Sequence, residues 1–370
     1  MAVSSLFFLH GLCFASWGAR IPDIQERLQL SEAELGSVLF GMPVGSLISM
    51  PVAAYLVSRF GSRNVLLFGI AAYGTLLTTL GMAPTTFSLV VLLLLFGFAS
   101  NFVNVSLNTQ GIDLENIFQK SIMASLHGLW SSAGFVGAAL GSLMISLLIT
   151  PSIHFLIVFG VVLLVAFLGR NFLLRDNKKA VDAVQGSFKL PDREILGLGL
   201  IAFLSMICEG AMFDWSGVYF KKVIGAQGPW ISAGYVAFMT TMAGTRFVAD
   251  HLKSKIGFKK ILFYSGIMIS LGLSISIIFP TLVPGMIGFL LVGSGVSALV
   301  PLVMSEAGKS KTMSPSAAVA SVSTIGFLGF LFGPPLIGWI AGFSSLRMSF
   351  AVIALMGISI TLISLKGKRL

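Results

Sequence analysis

Leu56-Val57-Ser58-Arg59-Phe60-Gly61-Ser62-Arg63 recurs 196 residues later as Leu252-Lys253-Ser254-Lys255-Ile256-Gly257-Phe258-Lys259. Each copy is a short basic loop around a glycine, and each follows the second apolar segment of its half of the chain. On either side of the first copy, apolar segments broken by Gly, Pro or charge run over 3–19, 35–57, 65–83, 87–112, 122–149 and 153–174. Around the second they run over 195–220, 230–249, 261–279, 282–304, 317–342 and 346–365. A bilayer crossing needs about 20 mostly apolar residues, because inside lipid only intrahelical hydrogen bonds satisfy the backbone. These patterns predict an all-α membrane protein with twelve transmembrane helices in two pseudo-symmetric six-helix halves. The halves are 1–174 and 195–370, joined by a polar cytoplasmic linker at 175–194.

Composition excludes a water-soluble domain. Hydrophobic residues make up 56% of the chain and charged residues only 10%, the mean hydropathy is +0.95, and a soluble domain carries roughly a quarter charged residues. The 41 glycines are small residues that let membrane helices approach closely. Cys13 and Cys208 lie in apolar segments far apart, which fits small buried residues better than a disulfide. The opening segment lacks a basic leader and runs on into Arg20-Ile21-Pro22, so it reads as a first helix and not a cleaved signal.

Cytoplasmic loops retain Lys and Arg. With both termini inside, 18 basic residues fall on the cytoplasmic side and only Arg20, Arg27, Lys221, Lys222 and Arg347 on the other. That split also explains the formal net charge of +10, which would otherwise suggest nucleic acid. The expected location is a bacterial inner membrane.

The repeated loop resembles the signature loop between helices 2 and 3 of the major facilitator superfamily, Gly-x-x-x-Asp-Arg-x-Gly-Arg-Arg. Arg59, Gly61 and Arg63 match, while Ala54 and Ser58 stand where that family has glycine and aspartate. Gly244-Thr245-Arg246-Phe247 with Asp250 looks like the corresponding pattern of helix 8. The chain as a whole is similar to a MosC-like bacterial branch of the superfamily, named for rhizopine transport and close to the fucose permeases. Ala15-Ser16-Trp17 with Arg20 and Pro22, Leu126-His127-Gly128, Glu209-Gly210 with Asp214-Trp215, and Gly333-Pro334-Pro335 with Gly338 carry this likeness. It implies the major facilitator fold, with a solute site between two halves that rock.

Ionisable residues inside membrane segments are functional candidates, because a charge at mid-helix costs about 2.5–3.5 kcal/mol on insertion scales. Glu209, near the middle of the seventh segment, is the first candidate for a coupled proton; the alternative is a structural acid paired with a neighbouring helix. Asp214 is five residues further on, about 140° around the helix, and reads as a gate or cap before a coupling site. Asn101, Asn104 and Asn108 form one stripe on the fourth segment, suited either to a hydroxyl- or amine-bearing solute or to interhelical hydrogen bonds. Asn108 and Gln110 read as packing or inner-gate residues.

On the first segment His10, Cys13, Trp17 and Arg20 share a stripe, with His10 a proton or solute contact or else a packed histidine. Arg20 either pairs with Asp23 or steers an anion. His127 and Trp130 offer a polar and stacking pair to a sugar ring. Arg246 with Asp250, and the loops at Arg59, Arg63 and Lys255, read as braces of the cytoplasmic gate. Gly134, Gly137 and Gly141 resemble the glycine pattern of family exporters without its proline. Gly333-Pro334-Pro335 is expected to interrupt the eleventh helix.

The sequence thus predicts a proton-coupled transporter of a small polar, sugar- or polyol-like solute, acting by alternating access, with sodium as the alternative coupling ion. Export of drugs or amphipathic metabolites is the alternative within transport, and a membrane receptor or scaffold the remoter one. No His-Glu-x-x-His pair, Gly-x-Gly-Asp motif or P-loop occurs, so no enzyme activity is expected. Nor is a cofactor, a metal or a nucleic-acid partner. The expected partners are the solute, protons and the lipid bilayer around a monomer.

Overall fold

The computed structural model of the protein describes residues 1–119, 122–175, 192–310 and 312–366, apart from the side chains of Ala124, Phe247, Asp250, Ser316 and Lys366. Most of the expected linker and the proposed bracing side chain of Asp250 therefore lie outside the described residues. The helices are α1 (Ala2–Arg27), α2 (Glu32–Leu39), α3 (Gly41–Phe60), α4 (Ser62–Met82), α5 (Thr86–Phe118), α6 (Met123–Ser146) and α7 (Pro151–Gly169). After residue 191 come α8 (Arg193–Tyr219), α9 (Ala233–Ile256), α10 (Phe258–Ile278), α11 (Leu282–Val296), α12 (Leu299–Ala307), α13 (Pro315–Phe343) and α14 (Leu346–Lys366). No strand occurs among the described residues.

Eleven spans are long and apolar enough to cross a membrane, with α2–α3 and α11–α12 each acting as one. The twelfth expected span is α9, which forms as a 24-residue helix but carries Arg246 and Asp250 in its body and so falls short on apolarity.

The chain forms two compact units, Met1–Leu30 with Ser37–Ala183, and Ser31–Gly36 with Val184–Leu370. Within the first, α1 packs on α6 and α7, α3 on α5, and α4 on α5 and α7. Within the second, α8 packs on α13 and α14, α9 on α11, and α10 on α11 and α14, so the same pairing scheme appears twice. The repeated loop shows why it needs its glycine. Gly61 has φ 84° and ψ 149°, and Gly257 has φ 83° and ψ 158°, a region that only glycine adopts readily.

Glycine also brings the helices together. A Cβ on Gly45 would collide with the Leu94 carbonyl and one on Gly97 with the Met42 carbonyl, so α3 and α5 cross backbone to backbone. In the second unit Gly272 and Gly288 meet the same way between α10 and α11, and Gly329 meets the Phe203 carbonyl between α13 and α8.

Two prolines decide where helices break. Pro43 has no N–H for the Leu39 carbonyl, and the chain is interrupted between α2 and α3. Pro301 likewise has none for the Ser297 carbonyl, and α11 ends one residue before that position. The break expected at Gly333-Pro334-Pro335 does not occur, because α13 runs unbroken through both prolines. Its glycines lie along α8, Gly326 against Ala202, Gly329 against Phe203 and Gly333 against Ile207, and this packing holds the helix across the missing donors. Before α8, Asp192 caps the helix by accepting from the Ile195 N–H at 2.9 Å and from the Thr312 hydroxyl. These bonds, the backbone one first, hold its carboxyl below the usual range.

Candidate functional site

Each unit carries its own polar set part-way along its helices. In the first, the close crossing of α1 on α6 places Gly11 directly against Trp130, and Gly137 and Gly141 of α6 against Ala15 and Ala19. Those α6 glycines therefore serve helix packing. From α1, the His10 Nε2 lies 2.9 Å from the Ser100 hydroxyl of α5, and its ring meets the edge of Tyr73 from α4 at 5.3 Å. Tyr73 in turn stacks on Phe96 at 4.2 Å. Asn101, next to Ser100, is buried, and its amide nitrogen has no hydrogen-bond partner among the described residues. His127 faces Phe7 at 5.5 Å and Trp130 faces Phe14 at 5.9 Å.

The asparagine stripe divides in two. Only Asn101 is buried, whereas the Asn108 amide donates to the Asn104 side chain at 3.0 Å. Gln110 is fully engaged, donating to Ser62 at 2.7 Å and to the Leu174 carbonyl at 3.0 Å while accepting from the Leu174 N–H at 2.9 Å. It ties the start of α4 to the chain after α7. Trp17 is buried with its indole N–H unaccepted among the described residues. Arg20 pairs with Asp23 at 2.8 Å and donates to the Ile149 carbonyl at 2.7 Å, which fastens the end of α1 to the α6–α7 turn.

In the second unit the carboxylates of α8 have different surroundings. Glu209 faces Arg246 of α9 at 3.4 Å, and Arg246 Nε donates to the Ser297 carbonyl at 3.3 Å. That is the carbonyl freed by Pro301, so one guanidinium serves both a buried acid and the gap between α11 and α12. Arg246, expected at a gate, thus lies on the first coupling candidate. Asp214 is 9% exposed and has no ion pair or hydrogen bond among the described residues. On α9 the Tyr235 hydroxyl is buried without a hydrogen-bond partner among the described residues, its ring set edge-on at 6.1 Å against Phe213, the residue next to Asp214.

The basic loops are braced unevenly. Arg59 donates to the Tyr55 hydroxyl at 2.6 Å, and Arg63 donates to the Arg170 carbonyl at 3.0 Å. In the second loop it is Lys253 that reaches α12, at Ser305 (3.2 Å) and Glu306 (3.8 Å), while Lys255 is exposed. At the other end of the second unit, Lys222 pairs with Glu32 at 2.7 Å, and Gly36 packs against Pro334 and Gly338. Ser100, Tyr73 and Tyr235 were not legible as site residues, because single Ser and Tyr residues in apolar runs give no signal until a neighbouring helix faces them. Pro301, three residues before the end of its segment, was the available clue to a freed carbonyl.

Known proteins resemble this chain along nearly its whole length. A membrane protein, MosC, of Rhizobium meliloti is 32% identical over 342 residues, covering 92% of this chain and 83% of its own. An uncharacterized MFS-type transporter of Yersinia pestis is 32% identical over 352 residues, covering 95% and 91%. Among solved structures, a bacterial homologue of the human lysosomal transporter Spinster, inward-facing and occupied, superposes with a TM-score of 0.76 at 13% identity, covering 100% of this chain and 96% of its own. The nucleoside transporter NupG matches with a TM-score of 0.76 at 13% identity, covering 100% and 98%. At such identity these two report the fold alone. The profile of the Major Facilitator Superfamily matches residues 3–314, and the chain is a member of that superfamily of membrane transporters.

Proposed function

We propose that the protein is a secondary active transporter of a small polar solute, sugar- or polyol-like, driven by protons and working by alternating access of the units 1–174 and 195–370. The observation that carries this reading is the Glu209–Arg246 pair. A buried acid at mid-helix needs the part-exposed Arg246 as its counter-charge while it is ionised, and a proton on Glu209 removes that need. The guanidinium keeps its bond to the Ser297 carbonyl, so proton binding changes the electrostatics of one unit from within. A group that alternates between paired and protonated states is what coupling requires.

His10 with Ser100, and the free amide of Asn101, supply the hydrogen bonds a hydroxylated solute needs, and the rings of His127 and Trp130 supply faces for its apolar side. A thermal-shift screen of purified protein against sugars, polyols, amines and drugs finds the solute, because a ligand of the native state raises its stability. With the solute in hand, Asn101→Leu is expected to weaken its binding by about 1–3 kcal/mol at an unchanged melting temperature. Asn104→Leu should do less, since that side chain already has Asn108. Equal loss of folding and binding in Asn101→Leu would leave the residue as helix glue.

The charge asymmetry supports a bacterial inner-membrane protein with both termini and the 175–194 linker on the cytoplasmic side. Alkaline phosphatase fused after Leu370 or near Lys178 should be inactive, and green fluorescent protein at the same places fluorescent. Phosphatase activity at either position reverses the orientation.

A further inference from the structure

Asp214 is a buried carboxylate to which the described residues bring no counter-charge and no donor. Glu209, five residues away on the same helix, has Arg246, whereas Asp214 is 9% exposed and unpaired. An isolated carboxylate in an apolar setting costs several kcal/mol unless something neutralises it. Its neighbour compounds the mismatch. The Tyr235 hydroxyl is buried and unbonded, its ring packs on Phe213, the residue next to Asp214, and yet it makes no hydrogen bond to the carboxylate. The two oxygens are therefore held apart, Asp214 by α8 and Tyr235 by its edge-on contact with Phe213 (6.1 Å) and by its place in α9. One small ligand that accepts both oxygens and carries a positive charge answers both deficits.

Resting on the transport reading above, we infer that Asp214 and Tyr235 form a site for a small monovalent cation, either a sodium ion or the primary ammonium group of the solute. A carboxylate and a phenol oxygen are hard donors suited to either. If sodium occupies the site, Asp214 seats a coupling ion. Occupied by an ammonium group, it selects an amine-bearing solute over the matching neutral one.

The test is thermal stability of the full-length protein in detergent, titrated at fixed ionic strength with sodium chloride, methylammonium chloride or, as the blank, choline chloride. At saturation the cation that fits is expected to raise the melting temperature by about 3 °C or more. Asp214→Asn is expected to abolish the rise, and Tyr235→Phe to weaken the apparent affinity severalfold. A rise with sodium alone identifies the ion, one with methylammonium alone identifies the solute amine, and a rise with both identifies a site open to either. The inference is overturned if neither cation differs from choline, or if the rise survives in Asp214→Asn. Should Asp214→Asn not give monodisperse protein, an unchanged response in Tyr235→Phe overturns it instead. Binding is read here without transport, so a protein that fails to move solute can still answer the question.

Discussion

Glu209→Gln should abolish proton-driven accumulation of solute in proteoliposomes while leaving binding in place. Glutamine keeps the shape and the hydrogen-bonding ability of the protonated acid but fixes its charge at zero. A gradient of one pH unit is worth about 1.4 kcal/mol, or a tenfold accumulation per coupled proton. The variant's internal-to-external ratio should therefore fall to about one under a gradient that drives the wild type to about ten. Exchange of labelled for unlabelled solute needs no net proton movement and should persist.

Arg246 makes the prediction sharper, because it lies 3.4 Å from the carboxylate and is part-exposed. Arg246→Gln leaves Glu209 charged and alone, and should cost about 3 kcal/mol, the lower end of the range for breaking a buried pair. The double replacement Glu209→Gln with Arg246→Gln removes both charges and should recover most of that stability without recovering accumulation. If Glu209→Gln still concentrates solute with the wild-type pH dependence, the coupling proton resides elsewhere, and His10 is next.

The largest expected effect on folding is at the crossing of α3 and α5. A Cβ on Gly45 or Gly97 would overlap the backbone carbonyl of Leu94 or Met42, and backbone has no rotamer by which to yield. Gly45→Ala and Gly97→Ala should each destabilise by roughly 3 kcal/mol or more, the upper end of overpacking costs. Gly160 and Gly197 have no atom within 4 Å of such a Cβ. Gly160→Ala and Gly197→Ala should change stability by no more than about 1 kcal/mol, in the direction of alanine's better helix propensity. Melting curves of the four variants in one detergent decide the matter, and wild-type melting of Gly97→Ala would show that the helices do not cross this closely.

Much of this architecture was legible in the chain, because lipid leaves so few choices. Long apolar runs become helices, and the doubled loop at Gly61 and Gly257 announces two similar units. The helix ends were less accurate: α1 continues through Pro22 to Arg27, and α5 to Phe118, well past the apolar runs that announced them. Hydropathy stops where polar residues begin, whereas a helix stops where its backbone hydrogen bonds do. Proline was ambiguous for a similar reason. Pro43 and Pro301 coincide with breaks while Pro22, Pro51, Pro334 and Pro335 lie inside unbroken helices, a difference that no local pattern records.

Of the candidate site, the ionisable residues stood out, but their partners did not. Glu209 and Arg246 are 37 residues apart, and His10 and Ser100 are 90 apart. Only the tertiary arrangement brings each pair together. The same arrangement separates Glu209, which is paired, from Asp214, which is not, although in sequence they differ mainly by five positions.

Backbone seams such as those at Gly45, Gly97, Gly272 and Gly329 leave no slack for sliding inside a unit. This bears on how the protein can be watched at work. On the alternating-access reading proposed above, two spectroscopic probes on one unit should report a constant separation, and a ruler laid from one unit to the other should change length. The intrinsic tryptophans sort themselves accordingly. Trp17 at 2% and Trp215 at 0% exposure are sealed inside their units and act as steady background emitters. Of the other three, Trp230 and Trp339 are exposed and Trp130 lies half open beside Phe14 in the proposed solute site, so a solute-dependent change in fluorescence is to be traced first to Trp130.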